Sequence, residues 1–189
     1  MTTVITVDGA SLGLWDVLGR ALGGVPGRRV RIKGLFSTAE DVQTAVRSVL
    51  ESGEPTPFEI RCHSAGCEAV GDWLDKYADH PDAPAPEHLQ RIVLLGNPER
   101  KHGGYMGRRI GGRRRRPTPV TQYETLDITR ERDPWSNCDC WGIPQRSRSE
   151  LTVARLTGLG ADHIDYSRVR PEHCRVRATE GRTTWLVAP

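Results

Sequence analysis

A serine flanked by small residues lies in the stretch Cys-His-Ser-Ala-Gly, residues 62–66, between an apolar run and a helical pattern. The stretch matches the G-x-S-x-G nucleophile elbow, where a strand turns sharply into a helix, except that Cys62 replaces the first glycine. Gly66 meets the second demand for a small residue, which arises because the two backbones approach closely there. The chemistry would be nucleophilic acyl transfer by Ser64. Alternatively, the serine only caps the helix.

An acid and a base would be needed to activate this serine, because a hydroxyl is a poor nucleophile until a histidine takes its proton. Asp133 follows an apolar run in a later loop, and His163 follows in a glycine-containing break. This Ser–Asp–His order is the one that elbow-type sites use. We therefore predict that Ser64, Asp133 and His163 act together as a catalytic triad. Asp127 and Asp139 are weaker candidates for the acid, and the region around Asp133 could instead be a charged surface cluster.

A tetrahedral oxyanion would need two hydrogen-bond donors. The backbone N–H of Ala65, directly after the serine, is the first candidate. The second should come from the loop after the first strand, where we predict Ala10 or Ser11, although that loop could also be an ordinary turn with a helix cap. His63 adjoins the serine, but neighbouring residues on an elbow point apart, so we do not expect it to be the base.

The elements that would position these residues alternate between strand-like and helix-like patterns. Apolar, β-branched runs predict strands near residues 2–7, 28–36, 57–62, 91–96 and 121–128. Helical spacing predicts helices at residues 12–22, after a capping box from Ser37 to Glu40, after the elbow, and from a capping box at Ser147 to about Leu159. This alternation predicts an α/β fold with a mostly parallel central sheet and helices on both faces. Ligands of such sheets lie beyond the carboxyl ends of the strands.

The end of the chain and its overall composition add further expectations. Residues 174–188 predict a β-hairpin that turns at Glu180 and Gly181. The length of 189 residues suits one domain, residues 1–189. No apolar run approaches the roughly 18 residues that span a membrane. The N-terminus lacks the basic start and apolar core of a signal peptide, so we expect synthesis in the cytoplasm without Sec export.

Basic residues and cysteines offer two other kinds of site. Net charge is only +3, but four arginines are consecutive: Arg113, Arg114, Arg115 and Arg116. Such a run is usually a solvated loop; if it binds a partner, an anionic envelope polymer is favoured over nucleic acid. Cys138 and Cys140 form a C-x-C pair with no second ligand pair, which is a weak indication of zinc. The number of cysteines, 5, is odd, and most are predicted to be free thiols.

Several stretches together resemble the cutinase-like serine esterases. They are the elbow, "LLGNPERKHGGYMGR" (94–108), "LDITRERDPW" (126–135) and "HIDY" (163–166). Within that family the chain is most similar to mycobacteriophage lysin B esterases and mycobacterial PE-PPE-domain hydrolases. The resemblance covers about residues 1–167 and leaves an extra C-terminal segment, about 168–189. The family has Tyr-Ser-Gln where this chain has His63-Ser64-Ala65, and lysin B enzymes are longer.

The resemblance implies an α/β-hydrolase fold and hydrolysis of carboxylic, lipid-type esters without metal or cofactor. It assigns Ser64 as nucleophile, Asp133 as acid, His163 as base and Ala65 to the oxyanion hole, with Asn97 and Pro98 shaping the adjacent loop. It also implies a phage-encoded protein that acts on an actinobacterial cell envelope, either after lysis or as a virion component. The alternative is a non-catalytic virion or tail protein that retains the fold.

Overall fold

The computed structural model describes residues 2–8, 28–32, 37–53, 57–107, 109, 114–157 and 161–189. The described strands are β1 (Thr3–Val7), β2 (Arg28–Ile32), β3 (Phe58–His63), β4 (Leu89–Leu95), β5 (Thr125–Arg130), β6 (Arg175–Glu180) and β7 (Thr183–Ala188). The described α-helices are α1 (Ala39–Glu51), α2 (Ala65–Tyr77), α3 (Arg148–Thr157) and α4 (Ala161–Ile164), and a 3₁₀ turn spans Pro171–His173. The helix predicted at residues 12–22 lies outside the described residues.

The described strands form one seven-stranded sheet in the order β2-β1-β3-β4-β5-β7-β6. Every neighbouring pair is parallel except β6 and β7, which are antiparallel. The carboxyl ends of β1, β3, β4 and β5 therefore meet at one edge. Val7 pairs with Cys62, Cys62 with Leu94, and Leu94 with Asp127. This register aligns the loops that follow these strands.

Apolar side chains cover both faces of the sheet. On one face, the buried side chains of α1 and α2, including Val46, Val70 and Trp73, pack against β1, β3 and β4. On the other face, Val93, Ile128 and Leu186 are buried together with Tyr166, which follows α4. The predicted fold class, a mostly parallel sheet covered on both faces, is confirmed.

The predicted hairpin is also confirmed, and its position in the sheet adds a finding. β7 lies between β6 and β5 and pairs with β5 in parallel from Thr125–Thr183 to Arg130–Ala188. The backbone N–H of Glu131 donates to the carbonyl of Ala188 at 2.9 Å. The segment after residue 168 therefore supplies two strands of the main sheet, and its β7 holds the start of the loop that carries Asp133.

Element boundaries differ from the predictions by a few residues. The first capping box is one residue later than expected, because Thr38, not Ser37, caps α1. The Asp41 backbone N–H donates to the Thr38 hydroxyl at 3.2 Å, and the Asp41 carboxylate, not that of Glu40, accepts from the Thr38 backbone N–H at 2.8 Å. Val42, Val46 and Val49 lie on the buried face of α1. The predicted Ser147 capping box is present, with Glu150 as its partner. Strand β5 begins at Thr125 rather than Thr121.

None of the described helices has the length and apolar character needed to cross a membrane.

Candidate active site

The turn between β3 and α2 has the strained backbone of a nucleophile elbow. Ser64 has a φ of 52° and a ψ of −124°, in a region that residues other than glycine seldom occupy. Such a conformation costs on the order of 1–3 kcal/mol and persists only where the surroundings enforce it. Within the described part of the chain, the Ser64 side chain makes no capping hydrogen bond to the helix. The helix-cap alternative is therefore not what this hydroxyl does.

Two small residues make this turn possible. A Cβ on Gly66 would overlap the carbonyl oxygen of Val7 and lie 2.8 Å from that of Asp8, so the start of α2 can approach β1 only with glycine there. Cys62, in place of the usual first glycine, is fully buried in β3, and its thiol points toward the Val93 carbonyl at 3.7 Å. The cysteine is accommodated by the core rather than by the turn itself.

His163 lies next to the serine although it is far along the chain. Its Nε2 is 2.9 Å from the Ser64 Oγ, and its Nδ1 is 2.9 Å and 3.0 Å from the two carboxylate oxygens of Asp133. With the proton on Nδ1, the imidazole donates to Asp133 and accepts from the serine hydroxyl. The three residues that the sequence singles out thus form one hydrogen-bonded line. His163 and Asp133 are buried, whereas Ser64 is partly exposed.

Asp133 is held by four donors. Besides His163, the backbone N–H groups of Trp135 and Ser136 donate to its Oδ1 at 2.8 and 3.2 Å, and the Tyr166 hydroxyl donates to its Oδ2 at 2.6 Å. Burial alone would raise the pKa of Asp133, but the charge and hydrogen bond of His163, together with the Tyr166 and Trp135 bonds, lower that pKa to about 2. The carboxylate is therefore ionised at neutral pH.

The weaker acid candidates are engaged elsewhere. Asp127 lies inside β5, where Arg100 Nη1 donates to its Oδ1 at 2.9 Å and Asn97 Nδ2 to its Oδ2 at 3.0 Å. Asp139 forms an ion pair with Arg177. Asn97, which the resemblance places beside the site, is fully buried and also donates to the Thr118 hydroxyl at 3.0 Å. These bonds attach the start of the loop after β4 to β5 and to Thr118.

Two supporting residues were not predicted to act in the site. His63 is buried, and its Nε2 lies 2.6 Å from the carbonyl oxygen of His163, while its Nδ1 is 3.8 Å from an Asp8 carboxylate oxygen. Its ring lies 5.3 Å, centroid to centroid, from the His163 ring, and its contact with the His163 carbonyl holds the backbone of the candidate base. Tyr166 holds the acid. In the sequence, the only signal for Tyr166 was its spacing of three residues from the histidine in "HIDY". No sequence pattern indicated a structural role for His63.

The oxyanion donors are only partly within the described structure. Ala65 is the first residue of α2, where backbone N–H groups and the helix dipole favour negative charge. Ala10 and Ser11 lie outside the described residues, so the second donor stays a prediction.

The arginine run lies beside α2. Arg115 is buried, and its Nη2 is 2.7 Å from Glu68 Oε1. Arg116 pairs with Asp75 at 2.6 Å, whereas Arg114 is exposed and Arg113 lies outside the described residues. The nearby Arg109 pairs with Asp72 at 2.5 Å and also with Glu68 and Glu99. Most of these guanidinium groups therefore form ion pairs that hold their loop against α2, which we call the elbow helix.

The described residues hold no cluster of three or more His, Cys, Asp or Glu side chains suited to a metal. All five cysteines, each of them described, are free thiols. The Cys138 thiol donates to the Pro134 carbonyl at 3.1 Å, whereas Cys140 accepts from the Arg146 N–H at 3.4 Å. The two sulfurs of the C-x-C pair thus have different partners.

No protein-family model matches the chain, and no curated protein matches it. Solved structures similar to it include an extracellular α/β-hydrolase from a Paenibacillus species, with 16% identity, a TM-score of 0.29, and coverage of 51% of this chain and 41% of the other. A Legionella pneumophila phospholipase shares 16% identity with a TM-score of 0.40, covering 69% and 39%. A Bacillus subtilis carboxylesterase shares 9% with a TM-score of 0.39, covering 99% and 75%.

The chain spans about two fifths of the length of the first two of these proteins. Likenesses this weak say nothing about activity or about a narrower family. The chain's own sheet order, its strained elbow and the Ser–Asp–His order place it in the α/β-hydrolase-like fold class. The finer likeness to cutinase-like and lysin B esterases stays a prediction.

Proposed function

We propose that this protein is a serine hydrolase that cleaves carboxylic esters through an acyl-enzyme on Ser64. One observation carries the proposal: the Ser64 hydroxyl, on a strained and partly exposed turn, lies 2.9 Å from His163, whose other ring nitrogen lies 2.9 Å from the buried Asp133. A line of this kind is the arrangement that activates a serine nucleophile. A serine that only caps a helix or packs in the core would not need a histidine and a carboxylate aligned in this way.

In the proposed reaction, Ser64 Oγ bonds to the acyl carbon while His163 Nε2 takes the hydroxyl proton. The ionised Asp133 stabilises the resulting imidazolium. The oxyanion accepts hydrogen bonds from the Ala65 N–H and from a second donor that we assign to Ala10 or Ser11. His163 then gives its proton to the leaving alcohol as the tetrahedral intermediate collapses. A water molecule then attacks the acyl carbon while His163 takes its proton. The bond from the acyl carbon to Ser64 Oγ breaks, His163 gives the proton to Ser64 Oγ, and the carboxylic acid is released.

We propose lipid-type esters as the substrates and an actinobacterial cell envelope as the place of action, for a phage-encoded protein that acts after lysis or on the virion. The resemblance to lysin B and PE-PPE-domain hydrolases supports this finer assignment. The exposed Arg114 and Arg116 would contact anionic envelope polymer. Fatty acids released from isolated actinobacterial envelopes, measured by mass spectrometry, test it, and absence of release by an otherwise active esterase would contradict it.

The experiment that tests the hydrolase proposal combines hydrolysis of p-nitrophenyl butyrate with fluorophosphonate labelling. The wild type should turn over the ester and carry the label on Ser64. Ser64→Ala should lose the label and lower kcat by a factor of about 10⁴ or more. Ser48→Ala is the matched control, because Ser48 is an exposed serine on α1, and its rate should equal that of the wild type.

Two results would contradict the proposal. If Ser64→Ala keeps the wild-type rate, another residue is the nucleophile. If the wild type neither hydrolyses esters nor takes up the label, the protein is not a serine hydrolase, and the non-catalytic virion role is favoured.

A further inference from the structure

An aromatic pair borders the base of the proposed reaction. The indole ring of Trp135 lies 6.1 Å, centroid to centroid, from the imidazole of His163. Tyr105 meets the indole edge to face at 5.2 Å and 86°. Both aromatic residues are only half-buried. We call these two residues the aromatic shelf.

The aromatic shelf is held in place from two directions. The backbone N–H of Tyr105 donates to the carbonyl of Trp135 at 2.7 Å, and the backbone N–H of Trp135 donates to Asp133. The guanidinium of Arg115 lies 5.5 Å from the centre of the Tyr105 ring while it pairs with Glu68 in the first turn of α2. The shelf is thus fixed both to the loop after β5 that carries Asp133, which we call the acid loop, and to the elbow helix. A binding subsite requires side chains that are held rigidly in this way.

Loop packing reinforces this arrangement. A Cβ on Gly107 would lie 2.6 Å from the Tyr105 ring, so a larger residue there would displace the tyrosine ring. The backbone N–H of Arg115 donates to the Gly107 carbonyl at 2.9 Å. The arginine run therefore contributes to the shape of the site through Arg115.

The position of the shelf indicates which part of an ester would touch it. In serine ester hydrolysis the leaving oxygen must face the histidine that protonates it, whereas the acyl oxygen faces the oxyanion donors. The aromatic shelf adjoins His163, so the alcohol part of the substrate would lie against it. Half-exposed aromatic rings bind flat or apolar groups better than small polar ones.

We propose that the aromatic shelf of Tyr105 and Trp135 is the subsite for the leaving alcohol and favours esters of aromatic or long-chain alcohols. The inference rests on the proposed function, because it requires His163 to protonate the leaving group. Trp135 is the principal contact, since it lies directly against the imidazole, and Tyr105 supports it.

Two ester series test this subsite. In the first, a butyryl group is constant and the alcohol is ethanol, benzyl alcohol or naphthylmethanol. In the second, ethanol is constant and the acyl chain grows from acetyl to octanoyl. Trp135→Ala should lower kcat/KM for the naphthylmethyl ester about tenfold more than for the ethyl ester. It should leave the acyl-chain preference unchanged, because the shelf is assigned to the alcohol part of the ester. The backbone N–H of residue 135 still donates to Asp133 in this variant, so general activity should remain.

Three further variants control for general damage. Trp135→Phe should keep most of the preference for aromatic alcohols, and Tyr105→Ala should reduce it less than Trp135→Ala does. Trp141→Ala is the matched control, because Trp141 is another half-buried tryptophan of the acid loop but stacks with Arg175 and Arg177 instead. Its alcohol preference should equal that of the wild type.

The results separate the two proposals. A wild type without esterase activity overturns the proposed function and this inference with it. An active wild type whose Trp135→Ala variant loses rate equally on every ester overturns only the inference, because Trp135 would then act solely by holding the acid loop. A change confined to the acyl series overturns it as well, since the shelf would then bind the acyl group.

Discussion

Asp127 within β5 and Asp133 just beyond it are both fully buried, yet their surroundings shift their pKa values in opposite directions. Burial raises the pKa of Asp127, and Arg100 and Asn97 offset this only in part. Burial also acts on Asp133, but His163, Tyr166 and the Trp135 N–H outweigh it and lower the pKa to about 2. Burial is common to the two carboxylates, so it does not distinguish them.

The difference lies in how the donors are shared. Arg100 divides its hydrogen bonds among the Asp127 carboxylate and the carbonyls of Asp127, His102 and Leu186. It therefore joins β5, β7 and the loop after β4. Only part of its hydrogen-bonding capacity goes to the Asp127 carboxylate. The donors around Asp133 all converge on that carboxylate. The first arrangement stabilises the fold, and the second maintains an ionised acid facing a histidine.

The largest effect should come from Asp133→Asn. The amide keeps the shape of the side chain but turns an acceptor into a donor opposite His163 Nδ1, which favours the wrong tautomer. We expect kcat for ester hydrolysis to fall by a factor of about 10⁴ in a variant that still unfolds cooperatively. Steady-state kinetics beside thermal unfolding would check this, and a rate within tenfold of wild type would remove Asp133 from the mechanism.

Asp127→Ala should instead affect stability. It leaves the buried Arg100 guanidinium without its carboxylate, and we expect the free energy of unfolding to fall by about 3–5 kcal/mol. Asp139→Ala, which breaks the partly exposed pair with Arg177, should cost only about 0–1 kcal/mol. Urea unfolding measures both. Equal losses would show that burial of the Arg100 pair does not matter.

Lowering the pH should change the contributions of the two carboxylates to the free energy of unfolding in opposite directions. The pKa of Asp133 is depressed in the fold, so its contribution to stability is present above its unfolded value of about 3.9 and is lost as pH falls toward 2. The unfolding free energy of wild type should therefore fall about 2–3 kcal/mol more than that of Asp133→Asn between pH 5 and pH about 2. Asp127, with its raised pKa, contributes with the opposite sign. Urea titrations across this range would reveal parallel curves if the assignment of Asp133 is wrong.

The smallest effect should come from Tyr166→Phe. It removes one donor to Asp133, while His163 and two backbone N–H groups remain. Hydrogen bonds to charged groups contribute about 1.5–3 kcal/mol, so we expect kcat/KM to fall about tenfold and the pKa of Asp133 to rise. Tyr123→Phe is the control, because this buried hydroxyl donates to the Pro84 carbonyl at 2.8 Å, outside the Ser64–His163–Asp133 line. Identical kinetics for both variants would make Tyr166 a packing residue only.

Local patterns allowed the sequence to predict much of the fold and the three reactive candidates. The elbow could be predicted because its requirements, small residues between a strand and a helix, are adjacent in the chain. The capping box of α1 could not be placed exactly from its pattern, because Ser37–Glu40 and Thr38–Asp41 overlap. The structure uses Thr38 and Asp41.

Contacts between distant segments that match no known motif could not be predicted. Arg115 and Glu68 are far apart in the sequence, and nothing in a run of arginines indicates that one of them becomes buried against the elbow helix. The roles of His63 and Tyr166 also depend on how residues 161–166 fold back over the sheet. Composition predicted a solvated loop or an anion contact, and it gave no sign of the ion pairs that Arg115 and Arg116 form with α2.

The place of β7 has a consequence for the timing of synthesis. This strand is made after Ser64, Asp133 and His163, yet the Ala188 carbonyl holds the start of the acid loop, and the Leu186 carbonyl accepts from Arg100 beneath it. A nascent chain folds its earlier segments first. The proposed nucleophile, acid and base can therefore all have left the ribosome while the loop that carries Asp133 still lacks its support. Hydrolytic competence would then arise only when residues 183–188 emerge and complete the sheet.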